Sequence, residues 1–289
     1  WQSLENEILS KKFKKQMMDF DLFKKAIDGC AGFDKPLEMI LFAGLGEPLM
    51  HPQIADMVAY AKKSGITKRV DVLTNASLLT KEMADKLIDA QLDRLRISIQ
   101  GLTTEKYKEV SGTNIEFSKI IDNIAYFHHR RKGTSMYIKI IDCALGDNEK
   151  EEFEKIFSPI CDEYAVEYLS PFVSEIDYSK LQSEFYGTFR DGGVSGGSMA
   201  CPHTFYMLAV HPDGSVMPWC TGDIALSYGN VENNTIPEIW HSNTVKDFWK
   251  LQLKNRFDNP ICAKCQVPVY NVREGDSLNG YEKEILKRI

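Results

Sequence analysis

Residues 37–49 read LEMILFAGLGEPL. The first six are mostly apolar, as in a short strand buried on both faces. The run ends in Gly44, Leu45, Gly46, Glu47 and Pro48. Two glycines let a backbone come close to a ligand, and the proline stiffens the turn. Exposed backbone groups in such a turn can hold an amino or carboxylate group, although glycine–proline turns after strands also occur for purely structural reasons.

The pattern repeats outward from there. Pro52 opens a predicted helix with Ile54, Met57, Val58 and Ala61 on one face, stopped by Gly65. Residues 69–73 (RVDVL) read as the next strand, followed by Thr74 and Asn75. Thr80 suits an N-cap, with Glu82 in the first turn of a helix carrying Met83, Leu87 and Ile88. Residues 95–99 form a third strand ending at Gln100 and Gly101. Phe117, Ile120, Ile121, Ile124 and Phe127 mark a helix, residues 136–141 a fourth strand, Phe153, Ile156, Phe157 and Ile160 another helix, and residues 166–169 a fifth strand. Alternating strand and helix imply a parallel sheet, as a barrel or an open doubly wound sheet. Either way the chemistry belongs at the carboxyl ends of the strands. Residues 44–48, 74–75 and 98–101 sit there. Asn75 and Ser98 have short polar side chains that suit ribose hydroxyls, and equally suit turns.

After residue 170 the pattern changes. Residues 190–200 (RDGGVSGGSMA) read as a linker or lid. FYMLAV, the turn Pro212-Asp213-Gly214 and SVMPWC form a predicted hairpin, and residues 236–253 a helix. The boundary falls near residue 198, giving regions 1–198 and 199–289.

The 289 residues are 43% hydrophobic and 26% charged, which excludes wholesale disorder. A net charge of -6 argues against general binding to a phosphate backbone, so no nucleic-acid partner is expected. No apolar run nears the ~20 residues that span a bilayer, and the first residues lack the apolar core of a signal peptide. The expectation is a soluble cytoplasmic protein without a membrane partner. Seven cysteines, an odd number, do not make a disulfide framework. Four of them, Cys201, Cys220, Cys262 and Cys265, lie in the last 89 residues. The pair Cys262/Cys265 has the C-x-x-C spacing that lets one turn bind a metal. Four thiolates suit tetrahedral zinc or an iron–sulfur cluster, and spacing leaves both open. His203 and His211 are further potential ligands, better read as surface or neighbouring histidines. Cys30, Cys143 and Cys161 read as buried thiols.

Taken together, LFAGLGEPL, LTNASLLT, RISIQG and the late C…C…C-x-x-C resemble a radical S-adenosylmethionine (SAM) enzyme with a C-terminal SPASM/twitch auxiliary-cluster domain. The resemblance covers about residues 37–268. Stretches such as SIQGLT…KYKEVSG and HPDGSV…GNV…IW are similar to those of SPASM-type members found near polysaccharide and antibiotic biosynthesis genes. The resemblance implies a partial (β/α)6 barrel plus the small cysteine-rich domain. It implies that Gly46, Glu47 and Pro48, with Gly44 beside them, receive the methionine amino group of SAM, although Leu45 stands where the family motif has its first glycine. Asn75, Ser98 and Gln100 would lie near the methionine carboxylate and ribose, with Lys139 and Asp142 as further candidates for SAM or substrate. Cys201, Cys220, Cys262 and Cys265 would hold one auxiliary 4Fe-4S cluster.

The family's catalytic 4Fe-4S cluster is bound by CX3CX2C, which this sequence does not contain, so the expectation is that the sequence begins just past the first strand and the cluster loop. Five residues separate Gly214 from Cys220 where the pattern has four. Nothing after Cys265 can serve a second auxiliary cluster, which favours the shorter twitch form. The implied chemistry is hydrogen abstraction by a 5′-deoxyadenosyl radical, with an electron supplied by a flavodoxin or ferredoxin. A fully liganded auxiliary cluster suits electron transfer. That points to an oxidoreductase acting on a carbohydrate-like or nucleotide-sugar substrate. A peptide-modifying maturase and a non-catalytic zinc- or cluster-binding protein are the competing readings.

Overall fold

Alternation along the strands decides the architecture. In residues 94–99 the apolar Leu95, Ile97 and Ile99 are buried, while Arg94, Arg96 and Ser98 on the other face are half-exposed. Such a strand needs an apolar cover on one side and a polar space on the other. The computed structural model describes residues 2–12, 14–44, 46–112, 114–170, 173, 175–180, 197–219 and 226–289. The chain divides into two compact units, residues 1–8 with 33–167, and residues 9–32 with 168–289.

Helices α1 (Gln2–Lys12) and α2 (Phe20–Gly29) come first. The first unit then builds a sheet from β1 (Ile40–Phe42), β2 (Val70–Thr74), β3 (Arg94–Ile99), β4 (Ser135–Ile141) and β5 (Glu163–Glu167). All neighbours are parallel, and their order in space is their order in the chain. A doubly wound sheet needs a reversal of that order. Without one, right-handed crossovers place every connecting helix on the same face. This is the winding of a partial barrel, as the family resemblance implies, with β1 and β5 at the edges of the described sheet.

The crossover helices are α3 (Ile54–Ser64), α4 (Lys81–Asp89), α5 (Thr104–Ser111), α6 (Phe117–Arg130) and α7 (Glu149–Phe157). Thr80 caps α4 by accepting from the Met83 N–H. Val58, Ala61, Leu87, Ile124, Phe127, Phe153 and Phe157 are wholly buried. Each large side chain among them contributes roughly 1.5–3 kcal/mol by leaving water.

In the second unit, β6 (Leu208–Val210) and β7 (Ser215–Pro218) form an antiparallel hairpin, extended by β8 (Gly229–Asn230). Gly214 closes the turn at φ +79, and a Cβ there would lie 2.7 Å from Asn230 Oδ1. Helices α8 (Ile236–Trp240), α9 (Asn243–Asn255) and α10 (Pro260–Lys264) follow. The single helix expected over 236–253 is two, because Ser242 leaves helical geometry and caps α9 through the Val245 N–H. The fifth strand begins earlier than its apolar run, since backbone pairing with β4 starts at Glu163. Among the described residues no helix is long and apolar enough to cross a membrane.

Candidate functional site

The parallel register brings the predicted rim residues together. Phe42 is level with Val72, Thr74 with Ile97, and Ser98 with Lys139. The loop after β1, Asn75 and Ser98 therefore leave the same end of the sheet on neighbouring strands. Glu47 ties two of these strand ends. Its carboxylate accepts from Thr74 Oγ1 at 2.6 Å, from the Asn75 N–H at 2.8 Å and from the Leu49 N–H at 3.0 Å. Charge-assisted bonds of this kind are the stronger class. Asn75 Oδ1 accepts from the Ser77 N–H at 2.9 Å, so its side chain shapes the turn. Gln100 is buried, and its Nε2 donates to the Ser98 carbonyl at 3.3 Å. Pro48 opens a short 3-10 turn (Pro48–Met50) behind the loop. Gly44 is exposed at φ +141, and a Cβ at Gly44 or Gly46 would meet no atom within 4 Å. The rim thus offers open space beside exposed backbone, as a bound small molecule requires. Leu45 lies outside the described residues.

The polar face of the sheet leads down from this rim. Lys139 is 6% exposed and Glu167 7%. Lys139 Nζ donates to Glu167 Oε2 at 2.6 Å, and the Tyr137 hydroxyl to Oε1 at 3.0 Å. Burial, then the Glu167 charge, pushes the Tyr137 phenol well above its ordinary range, so it stays a proton donor. Arg94 and Arg96 flank the Tyr137 ring at 5.4 and 6.0 Å. Asp71 is fully buried, with Arg69 Nε 2.8 Å from Oδ1 as an ion pair outside hydrogen-bond angles. Burial raises its pKa, against the opposing charges of Arg69, Arg96 and Arg94. Lys139 and Ser98 were expected from sequence. Tyr137 and Glu167 were not, although Glu163, Ala165 and Glu167 alternate onto one face of β5. Asp142 accepts from the Cys143 N–H at 2.9 Å, in a 3-10 turn (Asp142–Ala144) just past β4.

In the second unit, Cys201 precedes a 3-10 turn (Pro202–Phe205), Cys262 lies in α10, and Cys265 ends it. Gln252 of α9 joins two of these segments. Its Oε1 accepts from the Cys201 N–H at 3.2 Å, and its Nε2 donates to Cys262 Sγ at 3.3 Å. Burial, then the nearby Cys265 and Cys262, pushes the Cys201 thiol up to about 12. Cys262 is also raised, chiefly by burial. Thiols crowded in this way stay protonated until a metal takes the place of their protons. The donor set is all sulfur, which suits iron–sulfur or zinc chemistry. Among the described residues no three His, Cys, Asp or Glu side chains are gathered tightly enough to hold a single metal ion. Cys220 lies outside the described residues. Burial raises the Cys30 and Cys161 thiols to about 11, and neither belongs to this group.

Comparison with known proteins shows the family. The model of the radical SAM superfamily matches residues 6–158, just over half of the chain. The model of an iron–sulfur cluster-binding domain, SPASM, matches residues 201–266, a stretch that contains all four late cysteines. An AdoMet-dependent heme synthase of Methanosarcina barkeri is 25% identical over 89% of this chain and 84% of its own length. A tungsten-containing aldehyde ferredoxin oxidoreductase cofactor-modifying protein of Pyrococcus furiosus is 41% identical over 30% of this chain, and the match spans only 24% of that relative. Among solved structures, BtrN in complex with AdoMet and 2-DOIA superposes with a TM-score of 0.53 at 17% identity, over 88% of this chain and 84% of its own. That likeness carries the fold alone. The chain belongs to the radical SAM superfamily and carries a SPASM iron–sulfur cluster-binding domain.

Proposed function

We propose that this chain binds SAM at the β1–β3 rim and serves an oxidoreductase that takes hydrogen from an unactivated C–H bond of a carbohydrate-like or nucleotide-sugar substrate. The observation that carries this reading is the polar face of the sheet, where the buried Lys139 and Glu167 and the half-buried Tyr137 form one hydrogen-bonded group in the rows around Ser98. Buried donors and acceptors are costly unless matched. A hydroxyl-rich substrate matches such a face, and an apolar one does not.

In this reading the backbone around Gly44, Gly46 and Pro48 receives the methionine end of SAM, and Glu47 acts by holding the rim. Asn75, Ser98 and Gln100 lie toward the methionine carboxylate and ribose. Lys139, held by Glu167, faces the substrate. Cys201, Cys220, Cys262 and Cys265 hold one auxiliary 4Fe-4S cluster. When bound, SAM and the reduced catalytic cluster supply the hydrogen-abstracting chemistry, and the auxiliary cluster accepts or relays an electron. A flavodoxin or ferredoxin is the expected reducing partner. The neighbour BtrN, crystallised with AdoMet and 2-DOIA, is in keeping with a small-molecule substrate.

The test uses full-length anaerobic protein, SAM, a reductant and a panel of deuterated sugars and nucleotide sugars. The expected result is 5′-deoxyadenosine carrying deuterium, with a product that has lost two hydrogens. SAM cleavage coupled only to peptides, or a product that has gained sulfur or a methyl group, would overturn the reading.

A further inference from the structure

Helix α9 carries a stripe that reaches both cysteine segments. Trp249 Nε1 donates to the Thr204 carbonyl at 2.7 Å. One turn on, Gln252 spans from the Cys201 N–H to the Cys262 sulfur. One further turn on, Arg256 donates through Nη1 to the carbonyl of Cys262, and to that of Cys265 at 3.3 Å. Gln252 is 2% exposed and Arg256 5%. Gln252 occupies a core position in line with the buried Val245 and Phe248. A buried amide at such a position is costly unless both of its ends are bonded. The Cys201 N–H can only donate, so it fixes the amide oxygen and turns the Nε2 hydrogens to sulfur.

We propose that Gln252 is a positioning residue that sets the electron affinity of the auxiliary cluster through the Cys262 sulfur, and keeps the C-x-x-C turn in register with Cys201. The proposal rests on the reading of Cys262 as a cluster ligand. A hydrogen bond to a ligating sulfur spreads its negative charge, which favours the reduced, more negative cluster and raises its potential. Arg256 anchors the carbonyls of the same turn. Its fixed positive charge acts in the same direction. A cluster so biased is suited to accept the electron released when a substrate is oxidised.

The experiment compares full-length anaerobic protein with Gln252→Glu and Gln252→Leu. The readouts are iron and sulfide content, melting temperature, and the midpoint potential of the auxiliary cluster by EPR-monitored titration. The signal that shifts on adding SAM is assigned to the catalytic cluster and set aside. Gln252→Glu, titrated at alkaline pH so that the carboxyl is ionised, keeps an acceptor for the Cys201 N–H and removes the donor to sulfur. It is expected to favour the oxidised cluster on the order of tenfold, about 59 mV toward negative potential for one electron. Gln252→Leu is expected to shift the same way and lose iron faster. An unmoved potential in a variant that keeps its cluster overturns the proposal. So does loss of the cluster from both variants in folded protein, which would make Gln252 a strut only. Wild-type protein with no auxiliary cluster would instead defeat the ligand assignment itself.

Discussion

The rim and the cysteine region solve the same problem by different means. At the rim, neighbouring strands deliver Gly44, Asn75 and Ser98 to one end of the sheet, and the Glu47 carboxylate adds a single tie across two loops. In the second unit Cys201, Cys262 and Cys265 lie outside the described strands. Gln252 of α9, and Arg256 just past its end, reach instead to segments on either side of the helix in sequence. A site set by sheet register is as rigid as the core beneath it. A site set by a helix stripe depends on a few buried polar bonds.

Substitutions separate these dependencies. The largest effect is expected from Phe127→Ala, which empties a wholly buried position under the sheet. Such truncations cost about 3–5 kcal/mol. Thermal unfolding would measure it, and a loss under about 1 kcal/mol would break the link between core and rim. Next is Lys139→Met, which takes away the cation paired with the buried Glu167 and leaves the Tyr137 hydroxyl donating to it. Removing one partner of a buried pair costs about 3 kcal/mol or more, whereas replacing both is often close to neutral. Lys139→Met with Glu167→Leu should therefore recover much of the loss, and a double variant no better than the single would contradict the pairing. Glu47→Gln turns one acceptor oxygen into a donor facing other donors. A stability loss of about 1–2 kcal/mol is expected, with SAM affinity, read by calorimetry, falling about tenfold. Loss of stability without loss of affinity would make Glu47 a structural tie only.

The smallest effect is at Asp162. Hydrogen bonding from Arg131 holds its pKa at about 2, against 3.8 ordinarily. A carboxylate more acidic in the fold than in the unfolded chain stabilises fully above the ordinary value. That stabilisation fades as pH falls through the window from about 4 to 2. Its side chain is 41% exposed, so solvent screens the effect. Asp162→Asn should flatten that acid arm of the stability profile in a thermal-unfolding pH series, by a small loss at neutral pH and little change near pH 2.

The sheet was legible because its strands are apolar runs followed by glycine, asparagine and serine, and because Thr80 has the chemistry of a cap. Its winding was legible only through the family resemblance, which implied the partial barrel, since strand order is a long-range property that the elements do not carry. β5 was placed late because an edge strand can pair through polar residues such as Glu163, where hydropathy gives no signal. α5 escaped notice because only Tyr107 and Val110 are buried in it, although Thr103 caps its start and Gly112 its end. The rim residues announced themselves by type and position. Glu167 and Gln252 did not, because each is defined by a partner far away in the chain. The one local hint at Gln252 was a polar residue standing in an apolar helix stripe.

Binding of SAM to full-length protein carrying Gly46→Phe tests the central assignment most directly. Beyond its chain neighbours, a Cβ at Gly46 meets no atom within 4 Å, so the fold accepts the start of a side chain there, while in the proposed reading a phenyl ring would take the space of SAM. The account predicts an unchanged melting temperature and a SAM affinity at least tenfold weaker, or about 1.4 kcal/mol. Unchanged affinity in a folded variant would place SAM elsewhere and contradict it.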